Sequence, residues 1–263
     1  MATAVFFHAH PDDETIATGG TMARAAAEGH RVVLVTATAG ELGEVPDGFL
    51  APGEDLASRR AEELAAACQI LGVARHLCLG YGDSGMAGEP SNDVEGSFWR
   101  ADVDEAAAAL AAVLEEEQAE VLTAYDEHGG YGHPDHIQVH RVGLRAGEMA
   151  RTPRVYMATI NRDHVQRLAE QAGAFGVELP EGDAPDFADL GVEEARITTS
   201  VDVSEFLGAK RRAMEAHASQ IAETSFFLAV PPEAFAVIWG TEWYIRQGAA
   251  PGGEMEYDLL PSP

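Results

Sequence analysis

The chain has 263 residues, of which 44 are Asp or Glu and 17 are Lys or Arg, for a formal net charge of −27. Phosphate backbones and anionic lipid repel so acidic a surface, which excludes a nucleic-acid partner bound through a broad basic face. With 46% of residues hydrophobic the chain is expected to fold, and its length suits one undivided α/β domain.

In chain order, residues 3–9 are a short apolar run of β-formers. Residues 14–28 are Ala-rich and close at Gly29, which predicts a helix. Residues 31–37 read as a buried strand. Residues 56–71 carry apolar side chains at helical spacing and stop at Gly72. A short strand at 76–79, a helix at 103–118, a strand at 120–124, a helix at 135–151 and a strand at 154–159 follow. Further on, residues 210–220 read as a helix. This alternation predicts βαβ units and a mostly parallel sheet, and right-handed crossovers make it a Rossmann-like three-layer α/β/α sandwich. Residues 40–55 and 178–194 are rich in Gly, Pro and acid and read as long loops. The expected organisation is a single catalytic domain at 1–247, with an acidic insertion at 178–196 and a C-terminal tail at 248–263 that has little structure of its own.

There are two cysteines, Cys68 and Cys78, and Cys68 shares a helical stripe with Leu64 and Leu71 as a small buried hydrophobe would. The N-terminus lacks a basic region before its short apolar run, and no stretch approaches the ~20 apolar residues of a membrane span. The expectation is a cytoplasmic protein without a membrane partner.

One short pattern occurs twice, as His10-Pro11-Asp12-Asp13 and as His133-Pro134-Asp135-His136. Each copy follows a predicted strand and precedes a predicted helix. In a parallel sheet that places both at the carboxyl ends of strands, where such sheets build their sites. Helix capping explains part of each copy, since proline suits a first helical turn and Asp accepts its exposed N–H groups. Capping does not explain a histidine at both ends of the second copy or the paired carboxylates of the first. Two imidazoles and a carboxylate with a fourth position left to water form the donor set of a hydrolytic zinc site, and ferrous iron suits the same donors. A further carboxylate can take the proton of water, and a further histidine can protonate a leaving amine. His8 shares a strand face with His10, and His140 lies one helical turn from His136, so spacing alone leaves both open as ligands. His217 reads as a buried histidine or as a partner of the metal loops.

Other chemistries lack their signatures. Gly19-Gly20 and Gly129-Gly130 lack the spacing of either nucleotide fingerprint, so the layering does not imply a dinucleotide. No nucleophile-elbow sequence is present, which disfavours a serine hydrolase. The cysteines have no structural-zinc spacing.

The motifs Ala9-His10-Pro11-Asp12-Asp13-Glu14 and His133-Pro134-Asp135-His136 resemble the LmbE-like, PIG-L group of zinc N-deacetylases, typified by N-acetylglucosaminyl-phosphatidylinositol de-N-acetylase. Residues 125–132, 80–86 and 216–220 support the likeness and make it closest to the actinobacterial mycothiol-pathway deacetylase and mycothiol conjugate amidase. The resemblance implies an LmbE-like fold and one Zn2+ per chain on His10, Asp13 and His136, with neither His8 nor His140 a ligand. It implies Asp12 as general base, and His133 as general acid or oxyanion donor, oriented and charged by Asp135. It puts Tyr131 near the oxyanion and Arg60, Asp83 and Met86 against substrate. The implied activity is removal of acetate from an N-acetylglucosamine-type small molecule, and a homo-oligomer is compatible with it. Cleavage of a larger acyl group from a glucosamine conjugate, or deacetylation of a secondary metabolite, would use the same motifs. A metal- or carbohydrate-binding module without catalysis is disfavoured, because no catalytic group is missing.

Overall fold

Five of the six residues of β1 (Thr3–His8) are buried, on both faces of the strand, as expected of a strand covered above and below. In the computed structural model, which describes residues 1–171, 173, 188–225 and 227–260, β1 pairs in parallel with β2 (Arg31–Thr38) and β4 (Val121–Tyr125). β3 (Arg75–Tyr81) and β5 (Arg154–Thr159) extend the parallel set on either side. β6 (Thr199–Asp202) and β7 (Thr241–Arg246) add antiparallel, and the seven-stranded order is β3-β2-β1-β4-β5-β7-β6. The predicted mostly parallel α/β sandwich is therefore the observed one, with an antiparallel edge that spacing alone did not predict.

Local side-chain chemistry sets the starts of three helices. α3 (Leu56–Leu71) starts where the Asp55 side chain accepts from the Ser58 N–H at 2.9 Å, and it stops at Gly72 with φ 74°. α4 (Val103–Glu116) starts at Asp102, whose carboxylate accepts from Asp104 N and Glu105 N. α5 (Pro134–Ala150) has His133 as its N-cap and proline as its first residue. α5 packs on α4, with β1 and β4 beneath it. At Gly143 the Ala124 Cβ lies 2.5 Å from where a Cβ would sit. Gly143→Ala is therefore expected to destabilise the fold by ~1–3 kcal/mol, seen as a lower urea midpoint at unchanged slope.

Two expected helices are corrected. Residues 14–28 form α1 (Asp13–Ala17) and α2 (Gly19–Ala27), interrupted at Thr18. The Glu242 carboxylate from β7 accepts from Gly20 N and Thr21 N, both at 2.8 Å, and so caps α2 afresh. Lys210 of α7 (Leu207–Ala216) donates to Ile16 O at 2.8 Å and to Glu242 at 2.5 Å, which closes α1. α7 itself ends at Ala216, so His217 leaves the helix instead of lying within it. α2, α3 and α7 pack together as one helical group. α6 (Arg162–Gln171) and α8 (Pro232–Trp239) complete the helices used below.

Residues 40–55 carry neither helix nor strand. Of the expected acidic loop at 178–194, residues 178–187 lie outside the described residues. Near the C-terminus, Glu256 pairs with the backbone of Thr198 and Ser200, and Leu259 and Leu260 are buried. Cys68 is buried as expected, and both cysteines are free thiols. Among the described residues no helix is long and apolar enough to cross a membrane.

Candidate active site

β1 and β4 are neighbours, yet the chain leaves β1 toward β2 and β3 before returning to β4 on the other side. This reversal opens a crevice beyond the carboxyl ends of the two strands. Both His-Pro-Asp loops leave their strands into it.

The first loop is tightly wound. His10 N donates to Asp13 Oδ2 at 2.8 Å, and Asp12 N donates to Glu14 Oε2 at 2.8 Å. Asp12 has φ 112°, far outside the range usual for a residue with a Cβ. In the second loop Asp126 accepts from His128 N at 2.9 Å and Gly130 N at 3.1 Å, and Thr159 Oγ1 donates to its other oxygen. That turn needs Gly129, at φ 62°, because a Cβ there would overlap the Cβ of His136.

The donor atoms of His10, Asp13 and His136 lie within 4.8 Å of one another. His136 Nδ1 is 3.1 Å from the Gly129 carbonyl oxygen, which accepts its proton. In the neutral ring that a metal ligand must be, Nε2 is then the lone pair. It is buried, has no hydrogen-bond partner among the described residues, and stands 3.3 Å from Asp13 Oδ1. A lone pair facing a carboxylate calls for a cation between them. His10 Nδ1 is 3.3 Å from Asp13 Oδ2, while its Nε2 is 3.2 Å from Asp135 Oδ2, the outer carboxylate that metal-bound histidines favour. Burial disfavours a charged His10, yet Asp13, Asp135 and Asp83 outweigh it and hold its pKa well above the usual value. The residues present thus fit a divalent metal. A second group, His10, Asp83 and His133, is equally compact. There, however, Asp83 already accepts from Leu42 N and Gly85 N, and His133 Nδ1 accepts from Asp135 N at 3.1 Å.

The two histidines left open by spacing are occupied elsewhere. His8 Nδ1 is 2.6 Å from Tyr125 Oη and its Nε2 is 2.9 Å from Thr18 Oγ1, leaving no free nitrogen. Burial lowers its pKa to about 4. His140 Nδ1 meets the Tyr125 carbonyl oxygen at 2.9 Å.

Around the donors stand the other expected residues. Burial raises the Asp12 carboxyl to about 6, Arg60 restrains the rise and Asp13 adds to it. Arg60 Nη2 lies 3.2 Å from Asp12 Oδ2, donates to Pro11 O, and Nη1 donates to Gly40 O at 2.7 Å. Arg60 therefore clamps the loop that carries Asp12 as well as lining the cleft. Because His133 Nδ1 accepts from a backbone N–H, its ring proton sits on Nε2 and is available to donate. Burial, then His10 and His136, lower its pKa to about 4, so it is neutral in the metal-free protein. Asp135 was expected to orient His133. Its carboxylate instead meets His10 and accepts from Ser84 N at 2.9 Å, and only its backbone N–H reaches His133. Tyr131 is 49% exposed, with its ring centroid 4.9 Å from that of His136. Asp83 is buried and Met86 exposed, and both line the cleft.

Spacing did not single out Tyr125, whose ring stacks on His136 with centroids 4.8 Å apart. Nor did it pair Glu14 with His217, whose Nε2 is 2.7 Å from Glu14 Oε1. The cleft is about 880 Å³ and runs beyond the donors past Ile160, Leu168, Val237 and Trp243.

Comparison with known proteins agrees with this geometry. The family model for GlcNAc-PI de-N-acetylase (PIG-L) matches residues 5–147, more than half of the chain. The chain is 44% identical over 280 residues to the 1D-myo-inositol 2-acetamido-2-deoxy-alpha-D-glucopyranoside deacetylase of Nocardiopsis dassonvillei, covering 96% of this chain and 98% of that protein. It is 43% identical over 286 residues to the protein of the same name from Acidothermus cellulolyticus, covering 99% of this chain and 94% of that one. Among solved structures, the deacetylase of the teicoplanin biosynthesis pathway, in complex with bog, superposes with TM-score 0.63 at 21% identity, covering 95% of this chain and 100% of that chain, a likeness of fold. With its two His-Pro-Asp loops at one crevice and relatives matched along nearly its whole length, the chain belongs to the PIG-L, GlcNAc-PI de-N-acetylase family of deacetylases.

Proposed function

We propose that the protein hydrolyses the acetamide of an N-acetylglucosamine-type sugar to a free amine and acetate. The leading substrate is the 2-acetamido glucoside of inositol for which the two relatives described above are named. The observation that carries this reading is the convergence of His10, Asp13 and the partnerless His136 Nε2 beside the buried Asp12. These three donors would hold one divalent ion, zinc by preference and ferrous iron as the alternative. Such an ion, when bound, polarises the amide carbonyl and makes water acidic near neutral pH.

The chain's own groups would do the rest. Asp12, with a carboxyl at about 6, has the basicity to take a proton from water near neutrality. The Nε2–H of His133 points a neutral donor toward developing charge on the acetamide oxygen, with Tyr131 beside it. Protonation of the departing amine falls to the proton gathered by Asp12, since a neutral His133 has no proton to give up without becoming an imidazolate. Arg60 holds Asp12 in place, and Asp83 and Met86, which line the cleft, would face the sugar.

The test is to strip the protein of metal, reload it with zinc and assay acetate release from the 2-acetamido glucoside of inositol. One zinc per chain and acetate release are expected, and absence of zinc binding overturns the reading. The length of the cleft favours a second reading, in which a larger acyl group leaves a glucosamine conjugate. Faster hydrolysis of an N-cysteinyl than of an N-acetyl glucosaminide would select it.

A further inference from the structure

Asp12 adopts φ 112° and ψ −35°, a conformation that side chains with a Cβ avoid. The two other described non-glycine residues at positive φ, Gln118 and Arg151, have φ of 49° and 54° and lie at helix C-terminal ends, where such values are ordinary. Asp12 lies at the start of a helix, so something else must hold it. Arg60 takes its carboxylate. Its backbone N–H is taken by Glu14 Oε2 at 2.8 Å.

Glu14 is fully buried, and so is its partner. His217 Nε2–H donates to Glu14 Oε1 at 2.7 Å, across 203 positions of sequence. His217 Nδ1 has no hydrogen-bond partner among the described residues, so the bond to Glu14 is the one side-chain polar contact seen for this ring. Neither residue lines the cleft. A buried ion pair adds little stability over well-packed apolar side chains. The consequence of this one lies in what it fixes, which is the N–H of the strained residue. His217 leaves the end of α7, so the Asp12 loop is tied to a helix that arrives late in the chain.

We propose that Glu14 and His217 are positioning residues for Asp12: His217 orients Glu14, and Glu14 holds the Asp12 N–H so that the Asp12 carboxylate faces the cleft. The proposal rests on Asp12 being the base of the proposed reaction.

Its test uses E14A, E14Q, H217A and the double variant E14A/H217A. In zinc-loaded protein, E14A and H217A are expected to lose roughly 10²-fold in kcat, the cost of a small misplacement, with KM within about threefold. The double variant should fall no further than E14A, because both residues act through one chain of bonds. E14Q, which keeps an oxygen for the Asp12 N–H, should retain more activity than E14A. Independently of substrate and metal, amide exchange of Asp12 in metal-free protein should quicken about tenfold in E14A and H217A, with β1 and β4 amides unchanged. Wild-type kcat with wild-type Asp12 exchange in folded H217A overturns the proposal. So does exchange that quickens equally at Asp12, β1 and β4. Should E14A fail to fold, H217A and E14Q decide the matter. If the wild-type protein releases no acetate, the proposed reaction fails, while the exchange data still decide the positioning.

Discussion

Asp12→Asn is expected to keep one zinc ion per chain and to lose roughly 10²–10⁴-fold in kcat, the range for removing a general base. Two features make this substitution informative. Asp12 is outside the donor set of His10, Asp13 and His136, so the ion has no need of it. Asparagine is close in size and tolerates positive φ better than most residues, so the loop is not asked to refold. What changes is basicity. Burial raises the carboxyl to about 6 while Arg60, 3.2 Å away, keeps it ionisable near neutral pH. An amide cannot take a proton there. The loss should appear equally in kcat and kcat/KM, because the interaction belongs to the transition state. Metal content by elemental analysis and steady-state kinetics check it. Activity within tenfold of wild type removes Asp12 from the role of base.

The parallel half of the fold was legible because its signals are local. The buried strands read as apolar runs, and Asp55, Asp102 and Gly72 mark helix ends by contacts within a few residues. The break between α1 and α2 was not legible, because Lys210 and Glu242 make it from about 200 positions away. The antiparallel β6 and β7 were missed for a related reason, since their partners are set by the whole sheet.

The site divides in the same way. The repeated His-Pro-Asp motif marked the residues that gather at the crevice, since sequence chooses residue types and topology brings two loops together. It did not reveal which atoms face which. Asp135 turns its carboxylate to His10, Arg60 clamps the loop that carries Asp12, and His133 keeps its proton on Nε2 because a backbone N–H occupies Nδ1. These are facts of rotamer and tautomer, decided by neighbours from other strands.

His136→Ala is expected to abolish both turnover and tight zinc binding while leaving the protein folded. His136 supplies the one buried donor nitrogen of the set that nothing else in the described residues engages. Its removal leaves one imidazole and one carboxylate, below the three protein ligands of a hydrolytic site. A thermal shift separates this from general damage. A ligand that binds only the native state stabilises it by about 2.7 kcal/mol at one hundred times its Kd. For a chain of this size that is roughly 5–10 °C in Tm. Metal-free wild-type protein should gain that shift on adding zinc, and metal-free His136→Ala should gain almost none. Each protein is compared with itself, so the cavity left by the lost imidazole does not enter the result. A full shift in His136→Ala would move the ion to His10, Asp83 and His133, and Asp83→Asn would then remove it.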